Sequence, residues 1–159
     1  MSPQKIQPFL WFNDQAEEAA EFYTSVFRDS QLLGKTYYTE GSPAPAGTVM
    51  TVAFRIHDQE FVALNGGPHF TFSPAVSFVV NCKTQEEIDY YWEQLSADPK
   101  REQCGWLVDR FGLSWQIVPE DLPALLSTDD PEQARSVMQA MLKMKKISIP
   151  ELLDAKQVS

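Results

Sequence analysis

Few side chains in this 159-residue chain could do chemistry, and their placement is informative. There are two histidines, His57 and His69, and two cysteines, Cys82 and Cys104. Neither cysteine has a histidine nearby or a C-x-x-C spacing, which argues against a nucleophilic or redox role. In a reduced cytosol both read as small buried hydrophobes. His69 lies in Gly66-Gly-Pro-His-Phe70 and is the one imidazole expected near a cavity mouth, where it could serve as acid or base. The plainer reading is a hydrogen-bonded loop histidine. Gly66-Gly67 reads as a turn and not as a phosphate cradle, because no helix start with free N–H groups follows it. Glu17, Glu18, Glu86 and Glu87 read as helix-cap and solvent-face residues.

The composition bounds what those residues can serve. Hydrophobic residues make up 43% and charged residues 22%, as in an ordinary globular chain. Lys+Arg 13 against Asp+Glu 22 gives a net charge of −9, which repels nucleic-acid backbones and anionic lipid heads. No apolar run approaches the roughly 18–20 residues of a membrane span. The first six residues lack the basic-then-apolar layout of a signal peptide. The expectation is a single cytoplasmic globular domain with neither nucleic-acid nor membrane partners.

The elements that must position these side chains occur twice. Phe9-Leu-Trp-Phe-Asn13 is followed by Glu17-Glu18 and Phe22-Tyr23; Ser77-Phe-Val-Val-Asn81 is followed by Glu86-Glu87 and Tyr91-Trp92. Each copy reads as strand, turn and helix, with strands over residues 6–12 and 75–82. Asp14 with Glu17, and Thr84 with Glu87, give N-cap signals. Ala16, Ala20, Tyr23 and Phe27 form one apolar helix face, and Ile88, Trp92 and Leu95 another. Return strands are expected over 31–39, 48–56 and 60–65, with the last pair turning at Asp58-Gln59. The second copy returns over 103–108 and 113–119 through the tight turn Asp109-Arg-Phe-Gly112, its first return strand short or irregular. Beyond Pro119 the signals are helical: Asp130-Pro131 caps a helix with Ala134, Val137, Met138 and Met141 as its buried stripe, and a last helix covers 151–156. The spacing thus predicts an α+β fold of two βαβββ modules, about 5–66 and 74–119, with a helical C-terminal extension over about 120–156.

Strand alternation puts Gln7, Phe9 and Trp11 on one face, Ser77, Val79 and Asn81 on another, and Ser114 and Gln116 on a third. An aromatic-lined hollow with a few amides and hydroxyls suits a small organic ligand. At single-residue level, Phe9 and Trp11 could equally fill core.

The organisation resembles the glyoxalase/bleomycin-resistance/extradiol-dioxygenase superfamily, the vicinal oxygen chelate proteins. The wording is similar to its PhnB-like branch, whose members often carry the label 3-demethylubiquinone-9 3-methyltransferase. The motifs are Leu10-Trp-Phe-x-x-x-Ala16-Glu-Glu-Ala19, Leu64-Asn-Gly-Gly-Pro-His-Phe70, Cys104-Gly-Trp-Leu107, Asp109-Arg-Phe-Gly112-x-Ser-Trp-Gln116 and Met138-x-Ala-Met-x-x-Met-Lys-Lys146. The resemblance implies two curved sheets around a cavity, often completed by a second subunit, so a homodimer is expected.

It also implies metal-ligand positions at Gln7, at one of Phe61, Ala63 or Asn65, at Ala75 or Ser77, and at Gln116, which stands where a glutamate is expected. None is His, Asp or Glu, so no metal and no cofactor are expected. An inward Gln116 amide needs a ligand, water or pocket residue as partner. The ligand-binding candidates are therefore Gln7, Phe9, Trp11, Asn65, His69, Ser77 and Gln116, with no catalytic residue assigned. The function they support is binding of a small organic molecule in the cavity between the sheets. The alternative is a divergent lyase, isomerase or dioxygenase-like enzyme. Methyl transfer is rejected on mechanism, because the chain has no G-x-G loop after a parallel strand in a doubly wound sheet.

Overall fold

The computed structural model describes residues 3–157. The chain divides into two compact units, with the boundary between Phe72 and Ser73. Module one contains strand β1 (Phe9–Phe12), helix α1 (Ala16–Val26) and strands β2 (Ser30–Tyr37), β3 (Val49–Ile56) and β4 (Gln59–Asn65). The sheet order is β1-β4-β3-β2, with β1 parallel to β4 and the other neighbours antiparallel. Helix α1 covers one face. Its Ala16, Ala19 and Ala20 are fully buried, and small side chains there let the helix lie close to the sheet. Tyr23 stacks on Phe54 at 5.9 Å and Phe54 on Phe61 at 5.1 Å, which fixes the centre of this core.

Two local expectations are corrected here. Asp14 does not cap α1; Gln15 is the N-cap and makes no side-chain bond. The free N–H of Ala16 instead donates to Asn65 Oδ1 at 2.8 Å, a cap delivered from β4. The last hairpin turns at His57-Asp58, one residue earlier than expected, because Ile56 pairs with Gln59. His57 takes the left-handed position, φ 50°.

Module two contains β5 (Ser77–Cys82), α2 (Gln85–Leu95), β6 (Trp106–Val108) and β7 (Ser114–Pro119), in sheet order β5-β7-β6. The β5/β7 pair is parallel and the β6/β7 pair antiparallel. Thr84 caps α2 as expected, the Glu87 N–H donating to Thr84 Oγ1 at 3.1 Å, but the return arm of the expected box shifts by one residue: the Glu87 carboxylate accepts from the Lys83 N–H at 3.4 Å. The first return strand is reduced to a 3-10 turn, Pro99–Arg101, and an isolated bridge between Gln103 and Trp106. Proline at the start of that turn and the few residues available leave no room for a longer strand.

The C-terminal extension belongs to this second unit. It comprises α3 (Leu122–Leu126), α4 (Pro131–Leu142) and α5 (Ile149–Gln157), whose core is Leu125, Val137, Met144, Ile147 and Leu152. The expected stripe of α4 is corrected at Met138, which is 39% exposed. The buried line runs through Val137 and Met141, and Met138 falls about 100° away from Val137. The segment after α4 is latched to module two. The N–H groups of Cys104 and Gly105 donate to the Met144 and Lys145 carbonyls at 2.9 and 2.8 Å. Gln85 donates to Ile147 O and accepts from Ile149 N, and Lys146 pairs with Asp89 at 2.8 Å.

Candidate functional site

On module one, Leu10 and Phe12 are buried, so Phe9 and Trp11 lie on the opposite, open face, as their alternation requires; Gln7 precedes the strand, which begins at Phe9 and not at residue 6. The Cα register sets Phe9 beside Val62 and Trp11 beside Leu64 on the neighbouring strand. Phe9 is 58% exposed, a large ring that its own module leaves uncovered. Gln7 donates through Nε2 to Glu60 Oε2 at 3.0 Å. Trp11 is half-buried and held on three sides. Its Nε1 donates to Gly67 O at 2.9 Å, and its ring meets Phe70 edge-on at 4.9 Å. Gly66 lies so close to the indole that a Cβ there would fall 2.3 Å from Cε2.

The two glycines therefore serve a tight approach. Gly66 N donates to Phe12 O and Gly67 N to Asn13 O, which prolongs the β1–β4 ladder past the end of the strands. Gly67 itself has φ 93°.

Asn65 and His69 come together elsewhere, around a hollow of about 470 Å³ at the end of this sheet. The hollow lies beside the first turn of α1 and under the loop between β2 and β3, and Asp14, Glu17, Tyr38 and Ala44 also line it. Asn65 is fully engaged there: Oδ1 caps Ala16, Nδ2 donates to Val49 O at 3.1 Å, and the backbone oxygen accepts from the Tyr38 hydroxyl. His69 is exposed and its ring makes no hydrogen bond among the described residues, contrary to the plainer reading of a bonded loop histidine.

On module two, Ser77 pairs with Ser114 and Val79 with Gln116 in the parallel register, so these four share the face opposite α2. Gln116 Nε2 donates to Ser77 Oγ at 2.9 Å. The pocket-residue partner expected for the amide is thus Ser77. Beside them the buried Ser114 hydroxyl has no partner. The turn before β7 is fixed by Asp109, 3% exposed. Its Oδ1 accepts from the N–H groups of Phe111 and Leu113 at 2.9 and 3.0 Å, and its Oδ2 from Trp115 Nε1 at 2.9 Å. The signal for this brace was the Asp-x-x-Gly turn itself; its third bond, to Trp115, is a tertiary contact.

The residues at the metal positions do not fit a divalent ion. Gln7, Asn65 and Gln116 are neutral amides; Asn65 Oδ1 is spent on the Ala16 N–H, while Gln7 and Gln116 are bonded through their amide nitrogens to Glu60 and Ser77. Neutral donors supply no charge to offset the dehydration of the ion. Among the described residues no group of three or more His, Cys, Asp or Glu could hold one. Burial pushes the Cys82 thiol up to about 12, with Glu87 adding to the shift, so this cysteine stays a thiol at neutral pH. Cys104 sits at φ 54°, and its N–H is spent on the C-terminal latch.

A four-stranded and a three-stranded mixed sheet, each with a helix on one face, define a glyoxalase-like fold. Residues 4–118 match the family model described as 3-demethylubiquinone-9 3-methyltransferase, and the chain belongs to that PhnB-like family. A solved PhnB protein from Bacillus cereus, labelled as such a methyltransferase, is 38% identical with a TM-score of 0.61; the match covers 72% of this chain and 99% of that one. Protein PA1353 from Pseudomonas aeruginosa is 20% identical with a TM-score of 0.55, over 74% of this chain and 98% of that one. The fosfomycin resistance protein FosX from Mesorhizobium loti is 15% identical with a TM-score of 0.55, over 80% and 100%. The last two share the fold. No curated protein matches the chain. No helix among the described residues is long and apolar enough to cross a membrane.

Proposed function

We propose that this protein binds a small organic molecule against the open faces of its sheets and does so without a metal ion. The observation that carries this reading is the aromatic face of module one. Phe9 is 58% exposed, and Trp11 beside it is locked in place by Gly67 and Phe70. A fixed indole next to an exposed ring offers flat apolar area at little entropic cost. Gln7 with Glu60 supplies polar groups on the open face of module one, and Ser77 with Gln116 does so on that of module two. Asn65 acts through the cap that holds α1 against β4, and His69 stands at the rim of the hollow.

A divergent lyase, isomerase or dioxygenase-like activity needs donors stronger than these neutral amides. The methyltransferase label is a family name, and no G-x-G loop supports methyl transfer. We further propose a cytoplasmic homodimer. Exposed Val79 on the face opposite α2, together with Leu32, Leu33 and Tyr37 on the edge strand β2, is apolar area that a second copy would cover. Sedimentation showing only monomer at micromolar concentration would count against the dimer.

A thermal-shift screen of small metabolites tests the binding reading. Saturation at about a hundred times Kd stabilises a protein by roughly 2.7 kcal/mol, a readily measured shift. The reading expects a stabilising organic compound whose effect is lost in Trp11→Ala. Stabilisation by divalent metals alone would sink it.

A further inference from the structure

We infer that the hollow of module one is a separate site for a small organic cation, an amine carried on a compact apolar body. The inference does not rest on the open-face reading. The hollow measures about 470 Å³, within the range of small-molecule sites. One wall is apolar, built from Pro43, Ala44 and Pro68 with the ring of Tyr38. The Tyr38 hydroxyl is turned onto Asn65 O, and the Thr48 hydroxyl onto Pro45 O at 2.7 Å, so neither donor is available to a ligand.

The polar side of the hollow sets two carboxylates, Asp14 and Glu17, beside the neutral Asn13 amide and the His69 ring, so its formal charge is negative. Glu17 faces it and pairs through Oε2 with Lys35 at 2.7 Å, and that ammonium is the charge balance nearest to hand. Asp14 also lines it and makes no hydrogen bond or ion pair among the described residues, and neither does the ring of His69. The partial positive charge at the start of α1 does not supply the missing partner. Asn65 Oδ1 takes the Ala16 N–H, and Glu17 and Glu18 occupy the first turn. A carboxylate without a partner at the edge of an apolar hollow favours a ligand with an N⁺–H donor over one with a carboxylate or phosphate. A metal ion is the poorer occupant, since no three ligating side chains converge among the described residues. An ammonium needs one carboxylate and gains from the imidazole and the tyrosine face.

A matched series of probes separates charge from apolar fit: 2-phenylethylammonium, 2-phenylethanol and 3-phenylpropionate, titrated into the ¹⁵N-labelled full chain at pH 7. The ammonium probe is expected to bind in the millimolar range and to shift the amides of Asp14, Gly66, Gly67 and His69. The alcohol should bind more weakly and the carboxylate not at all. Asp14→Asn should weaken the ammonium about three- to fivefold, the scale of an exposed ion pair, and Asp14→Lys should abolish its binding. Both variants should melt with the parent protein, because Asp14 has no bond in the fold to lose. Equal binding of all three probes, shifts confined to the open sheet face, or no shift at tens of millimolar would each overturn the inference.

Discussion

Replacing Gly66 with alanine tests how the aromatic face is held. The new Cβ would lie 2.3, 2.5 and 2.7 Å from Cε2, Cζ2 and Cδ2 of Trp11, well inside contact distance. The backbone at Gly66 is not in the left-handed region, so alanine is tolerated there and the whole penalty comes from the indole. Overpacking of this kind costs about 1–3 kcal/mol. Moving the ring also breaks the Nε1 bond to Gly67 O, worth about 1 kcal/mol more. Gly66→Ala should therefore destabilise the protein by about 2–4 kcal/mol, a fall in Tm of about 4–16 °C for a chain of this length. In a Trp11→Ala background the same substitution meets empty space. Its cost should there vanish to within about 0.5 kcal/mol, leaving a coupling of about 2–4 kcal/mol. Urea unfolding followed by far-UV circular dichroism, which does not depend on the deleted indole, reads all four corners of the cycle. Additive penalties, with Gly66→Ala as costly without Trp11 as with it, would refute the reasoning.

Three further outcomes are expected. Asp109→Asn keeps the shape but turns an amide donor toward Trp115 Nε1, so it should cost about 2–4 kcal/mol in urea unfolding. Hydrogen bonds from Lys146 and Gln85 hold the Asp89 carboxyl below its ordinary value, so the latch is strongest above that value. It should loosen as pH falls through the lowered pKa, read as faster amide exchange at Cys104 and Gly105, and Asp89→Asn should remove this pH dependence. Because burial raises the Cys82 thiol to about 12, in a Cys104→Ser chain it should resist thiol reagents at pH 8 until the protein is unfolded; rapid labelling of that folded variant would contradict its burial.

Much of the fold was legible because its signals are local. The strand alternation at Leu10 and Phe12, the Thr84 N-cap and the Asp130-Pro131 cap each depend on neighbours within four residues, and the structure bears them out. The features the sequence did not disclose depend on distant partners. Asp14 has the type and spacing of an N-cap, yet Asn65 occupies that role from a strand 49 residues away. The hollow is hidden for the same reason, because Asp14, Tyr38, Ala44 and His69 meet only once β4 lies beside β1. Met138 was misplaced because helical periodicity alone cannot decide between adjacent faces, and the partner helix chose Val137. Of the candidate ligand residues, alternation grouped Gln7, Phe9 and Trp11 on one face, whereas the hydrogen-bond partners of Gln7 and Gln116 became visible only in the folded chain.

The most direct test of the account is the metal content of protein purified without chelator, measured by elemental mass spectrometry beside its melting curve with and without EDTA. Neutral amides at Gln7, Asn65 and Gln116, which bring no charge to a cation, should leave transition metals far below one per chain and the melt unmoved by EDTA. One zinc, nickel, iron or manganese per chain, whose removal lowers the Tm, would contradict the central claim.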